Sequence, residues 1–451
     1  MTDAQQDPTR ELAEFVVGLD LDAVPAEVVD HAKDLLLDML GCALAADHGD
    51  ETSIFDAVLD AIGGEGPSTV VGASRTRAMA AAVLLNGFRA TAVTACDVYA
   101  PADLHTTPEI VPPVIALAER GGSTGAEALA AVIAGLEVIT RLARGFDYPE
   151  FRRRGWHSPG VVGPLGAAAA SASVLRMGAE ATTNALAVAG STSAGTWAAS
   201  SSPTVKFHQS RAALTGFLSA MLANEGFTGS SAILTHEQGG LFVAYAPGDA
   251  AAVVADLGDQ WELLRISLRL WPGGARLQPS MTATSRMLDE APIAFDEIES
   301  VVVRVAPAMG AMQSWAARPR GTFAALASIP YAVAVTLRYG SPSVEHFGAS
   351  SYEDPAIVAF LDRITVEGDD TVPALGARVE VTTRDGAVRT GSVDTPKGHP
   401  QSPANRDELA AKVRRCAPAR MASSAVDELI LRVQRIEHEP NLARILELVR
   451  V

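Results

Sequence analysis

With 451 residues, the chain is too long for one ordinary core and long enough for two. Charged residues make up 20% and apolar ones 48%, the balance of a soluble globular enzyme, which excludes wholesale disorder. A net charge of −17 excludes nucleic acid and anionic membrane surfaces as natural partners, and any site for an acid must then concentrate its cations locally.

In chain order, the first half reads as helix after helix. Apolar residues recur at helical spacing from Ala26 to Ala46, with Pro25 at the start. The same pattern predicts helices over 78–85, 111–119, 126–143, 164–176, 181–189 and 210–225. Ala and Leu dominate these stretches, and Gly-rich joints such as Gly121-Gly122 separate them. After Trp261 the character changes. Ile298 to Val305 is dense in β-branched residues, and Val379 to Val388 reads as a hairpin with Asp385-Gly386 at its turn. Helical stretches at 282–288, 323–337 and 355–361 lie around them, and the tail, 406–413 and 425–451, returns to helix. The expectation is a mainly α protein: a large helical domain over 1–262 completed by 404–451, and a smaller α+β domain over 263–403.

Cys42, Cys96 and Cys416 lack CxxC spacing, which suits reduced thiols in a cytoplasmic protein. The start Met1-Thr2-Asp3-Ala4 has no basic-then-apolar segment, so no secretory signal is expected. The apolar runs are short and rich in Ala and Gly, so no membrane association is expected. Phosphate-loop, dinucleotide-turn, zinc-helix and nucleophile-elbow motifs are absent, and the nine histidines do not cluster at ligand spacing. Neither metal nor cofactor is expected.

Three segments place ionisable residues where a helical core does not call for them. They are Cys96 to Pro108, Arg152 to Pro159, and Pro203 to His208 with Arg211 beyond it. Each brings a His or Lys to a helix entrance, where loops on a rigid scaffold carry function and free N–H groups suit carboxylates. A single loop histidine is more often solvated or capping than catalytic, so this pattern alone says enzyme and leaves the reaction open.

Five segments in order resemble the MmgE/PrpD family: His105-Thr-Thr-Pro-Glu-Ile-Val-Pro-Pro to Glu119, Gly155-Trp-His157-Ser-Pro to Ala170, Lys206-Phe-His208-Gln-Ser-Arg-Ala-Ala213, Ser328-Ile-Pro-Tyr331, and Pro396-Lys-Gly-His-Pro400. The likeness runs from about residue 10 to 420. It implies that the α+β domain is a lid, that the chain forms a homodimer, and that a cofactor-free site lies between the domains. Carried over residue by residue, it implies catalytic roles for Asp97, His105, His157, Lys206 and Tyr331. In a further segment, Leu268-Arg269-Leu-Trp-Pro-Gly-Gly274-Ala-Arg276, Arg269 stands where the family typically has lysine, and Gly274 where decarboxylase-like members have histidine.

Proton removal beside a carboxylate needs a base, fixed positive charge and a dry site. His105 and His157 are expected as base and acid, with Arg269, Arg276 and His208 binding the substrate beside Lys206. The expected function is therefore a cofactor-independent lyase, of the dehydratase type, for a small di- or tricarboxylic acid. Epimerisation of an amino- or imino-dicarboxylate is one alternative, and a non-catalytic binding or scaffold member of the family is another.

Overall fold

The computed structural model describes residues 7–48, 51–311 and 318–451, and the chain is mainly helical with two small sheets. The longer helices are α1 (Thr9–Gly18), α2 (Ala26–Leu44), α3 (Thr52–Ala61), α4 (Met79–Thr91), α5 (Thr107–Gly121), α6 (Gly125–Gly145), α7 (Ser158–Val174), α8 (Ala179–Ser191), α9 (Thr204–Asn224), α10 (Gln278–Glu290), α11 (Ile329–Tyr339), α12 (Arg406–Cys416) and α13 (Ser423–Gln434). The strands are β1 (Val98–Tyr99), β2 (Ile266–Ser267), β3 (Ile298–Val305), β4 (Ile364–Gly368), β5 (Ala377–Thr383) and β6 (Val388–Val393).

Local chemistry explains where these helices begin. Thr124 and Glu127 form a reciprocal capping box at the start of α6. α5 and α7 begin several residues before their apolar periodicity does, because Pro108 and Pro159 sit in first turns. N–H groups there have no intrahelical partner, so proline loses nothing. The stretch expected as one helix over 323–337 is instead two, Thr322–Ala325 and α11, since Ser328 caps a fresh start just before Pro330.

α7 is built almost wholly of small buried residues, and α6 and α9 pack closely against it. At Gly216 on α9, a Cβ would lie 2.4 Å from the Pro164 carbonyl oxygen, so the crossing requires glycine. One apolar core draws on residues between Leu12 and Leu268 and again between Leu409 and Val449. A second spans Leu277 to Val393. In that second body the strand order is β4-β3-β5-β6, with β3 and β4 parallel and the other pairs antiparallel. The expected turn closes the β5–β6 hairpin: Thr383 and Ala387 pair across Asp385-Gly386, and Gly386 has a φ of +84°. No helix among the described residues is long and apolar enough to cross a membrane.

Candidate active site

β1 and β2 pair Val98 with Ser267 and Tyr99 with Ile266, which brings the segment before β1 beside the segment after β2. Residues 167 to 173 positions apart in sequence thus become neighbours, and Arg269 Nε donates to the Cys96 carbonyl. The Arg269 guanidinium also reaches Cys96 Sγ at 3.2 Å and the Gly273 carbonyl at 3.3 Å. Lys206, in the first turn of α9, donates to the Ala92 carbonyl at 2.7 Å and lies 3.3 Å from the Glu51 carboxylate. Both cations are about 2% exposed.

These groups border one cavity of about 340 Å³. His105, His157, Lys206 and Arg269 stand on the side of the first core, while Gly274, Arg276, Phe323 and Leu326 close the other side. Among the described residues lining the cavity, Asp103 is the one carboxylate, against three cationic side chains, which answers the problem posed by the net charge.

The histidines are set by their partners. His105 Nδ1 lies 2.7 Å from the Asp97 carbonyl oxygen. That oxygen can only accept, so Nδ1 carries the proton and Nε2 is left as the basic nitrogen. His157 opens α7, and its Nδ1 lies 2.9 Å from His208 Nδ1, leaving its Nε2 for a ligand. Burial, followed by the positive charge of Arg269, pushes His105 down to about 4. Burial, with His208, His105 and Arg152 nearby, holds His157 well below the ordinary 6.5. Both imidazoles are therefore neutral at pH 7.

Five residues singled out in the sequence, His105, His157, Lys206, Arg269 and Arg276, meet at this cavity. Arg276 is exposed and has no ion-pair partner among the described residues. His208 stands behind His157. Two residues expected to be catalytic do not reach the wall. Asp97 is fully buried, and its carboxylate accepts from the backbone N–H and hydroxyl of both Thr106 and Thr107, so it anchors the start of α5. Tyr331 lies in the second core and donates its hydroxyl to the His346 carbonyl at 2.7 Å. Its proton is committed there, and burial pushes its pKa up.

Sequence reasoning missed Thr94, Trp197, Gln209 and Phe323, which also line the cavity. Trp197 had a signal, as a lone aromatic in a loop of Ser, Thr, Ala and Gly. Arg152, from the second polar segment, lies over its ring with 3.3 Å to the centroid, fixing that wall. Arg153 and Arg154 pair with Glu150 and turn away from the site.

Residues 10–252 match the MmgE/PrpD N-terminal domain and residues 271–438 the MmgE/PrpD C-terminal domain. The chain belongs to the MmgE/PrpD family. Among curated relatives of this MmgE/PrpD chain, it is 29% identical to a cis-aconitate decarboxylase-like protein of Aspergillus oryzae, over 95% of this chain and 93% of that one. It is 24% identical to the cis-aconitate decarboxylase of Aspergillus terreus, over 99% and 97%, and 26% identical to that of Homo sapiens, over 95% and 92%.

Proposed function

We propose that this MmgE/PrpD-type lyase acts on a small tricarboxylic acid of the cis-aconitate kind, releasing carbon dioxide by means of its own side chains alone. The observation that carries the reading is the sharing of one cavity by two neutral imidazoles, His105 and His157, and two buried cations, Lys206 and Arg269. Full-length similarity to proteins named for cis-aconitate decarboxylation supports it.

In such an acid, the bond to the departing carboxylate breaks and its electron pair becomes a new carbon–carbon double bond. The old double bond shifts onto its far carbon, which takes a proton. His157, with Nδ1 accepting from His208, holds its own proton on Nε2 and supplies it, while the His208 proton passes to His157 Nδ1 and solvent restores the proton of His208. Lys206 and Arg269 hold the carboxylates that remain, and Arg269 does so as a fork that stays charged throughout.

Loss of water is the second reading, and two residues favour it. Arg269 cannot give up a proton near neutral pH, and Gly274 leaves out the histidine that the family resemblance associates with decarboxylation. In that case His105 Nε2 takes the proton beside a carboxylate, and the hydroxyl leaves with a proton from His157. Incubating the purified protein with cis-aconitate and, separately, with citrate-like hydroxy acids, and following carbon dioxide and the NMR spectrum, separates the readings. Stoichiometric carbon dioxide from cis-aconitate is the expected result. Turnover of neither, with no thermal shift from either, overturns the proposal.

The reading includes a lid formed by 263–403, a homodimer and a cytoplasmic location. Exposed Ile54, Val58 and Ile62 recur one turn apart along α3 and its C-terminal end, and Leu218 and Leu222 on α9 are also exposed, which supports an association surface.

A further inference from the structure

The backbone from Ala92 to Asp97 is gripped by groups from three distant parts of the chain and by nearby His105. Lys206 takes the Ala92 carbonyl, and the Gly273 N–H takes that of Thr94 at 3.1 Å. Lys412, on α12, takes the Ala95 carbonyl at 2.7 Å. Arg269 takes Cys96 and His105 takes Asp97. Three consecutive carbonyls are thus held by three cationic or imidazole side chains, two of which border the cavity.

Within this hub Thr94 has a φ of +51°. That conformation is costly for a β-branched residue and persists only where the surroundings over-determine it. Lys412 is one of the determinants that lies outside the cavity. Only 3% exposed, it also pairs with the fully buried Asp38 on α2. A buried ion pair adds little to stability compared with apolar residues of the same volume. A pair retained here while its ammonium also holds a carbonyl two peptides from His105's partner has a better explanation in position than in stability.

We propose that Lys412 is a positioning residue, which from the far side of the core fixes the 95–97 backbone that orients Arg269 and His105. The inference rests on reading the cavity as the active site. Without the Lys412 donor, the Ala95 peptide is free to turn, Thr94 relaxes, and Arg269 loses its fixed distance from His105. The groups facing His105 are Arg269, Asp97, Asp103, His157 and the Cys96 thiol, so drift of Arg269 weakens one influence that lowers the His105 midpoint while burial and the two carboxylates stay in place.

The test compares Asp38→Asn/Lys412→Met, which removes the donor, with Asp38→Asn/Lys412→Gln, which removes the same charges but keeps a donor. Lys33→Met is the control, since it breaks the Lys33–Glu437 pair on the same helix α2 without touching the hub. The readouts are the NMR titration of the His105 ring, assigned through His105→Gln, and kcat/KM with cis-aconitate. The methionine pair is expected to raise the His105 midpoint and to lower kcat/KM tenfold to a hundredfold, on the order expected for about an ångström of misplacement. The glutamine pair stays closer to wild type, and the control matches it. A His105 titration unchanged in the methionine pair overturns the inference. Should that pair fail to fold, Lys412→Arg, whose longer side chain displaces the Ala95 carbonyl, is read by the same criterion. If the wild type does not turn over cis-aconitate, the proposed function falls while the titration still decides the role of Lys412.

Discussion

His157 Nδ1 and His208 Nδ1 lie 2.9 Å apart, so a single proton is shared between two neutral rings and fixes both tautomers together. His157→Ala is expected to keep its melting temperature and to lose 10²- to 10⁴-fold or so in kcat, the usual range for a positioned acid or base. His208→Ala removes only the group that orients the acid, and a loss of roughly tenfold to a hundredfold is expected, as for other outer partners. Steady-state kinetics on the two variants checks this. A His208 variant as inactive as the His157 one means that the acid has been assigned to the wrong ring.

The pH dependence follows from burial. His105 stays unprotonated above about 4, so kcat/KM should show no break near the ordinary 6.5 and should fall only on further acidification. The stability effect has the opposite origin and the same direction. Because the folded rings bind protons less readily than the unfolded chain, stability is lost as the pH drops below 6.5. Melting temperatures from pH 7 to pH 5 should fall, and His105→Gln should flatten that slope. A kinetic break at 6.5 with an unaltered slope contradicts the burial argument.

Gly274 has a φ of −57°, which any residue adopts, and a Cβ there would meet only the Leu326 carbonyl oxygen, at 3.8 Å. Neither backbone conformation nor packing requires glycine, so the space belongs to the cavity. Gly274→Val should therefore fold with stability within about 0.5 kcal/mol of wild type. Its KM for the acid should rise roughly tenfold, equivalent to about 1.4 kcal/mol of binding. An unchanged KM means that the ligand leaves this part of the cavity empty.

Glu109, in the first turn of α5, is fully buried, and neither carboxyl oxygen has a hydrogen-bond partner among the described residues. Burial, then the nearby Asp97, pushes its pKa well above the ordinary 4.5. The folded state therefore binds this proton more tightly than the unfolded one, and its stability falls as the pH rises above 4.5. Glu109→Met should stabilise the protein by about 1–3 kcal/mol at neutral pH. The gain should be larger at pH 8 than at pH 5 in denaturant titrations, and an equal gain at both excludes a trapped proton.

Much of the architecture was legible because it depends on local chemistry. Helical periodicity located α2, α6 and α9, and Asp385-Gly386 located the β5–β6 turn, because the apolar spacing and the turn conformation act within a few residues. Proline and the small or polar residues beside it in a first turn carry no such period, which is why α5 and α7 begin earlier than expected. Of the site, sequence supplied the imidazoles and the cations but not their partners.

Side-chain identity by itself determined that this chain holds bases and cations suited to acids, and that they stand at helix entrances. Only tertiary packing decided which of them face the cavity. It turned Asp97 inward onto two threonines, spent the Tyr331 hydroxyl on a carbonyl, and set His208 behind His157. The physical reason is that burial and long-range pairing, through contacts such as β1 with β2, decide whether a polar group keeps its proton for structure or offers it to a substrate.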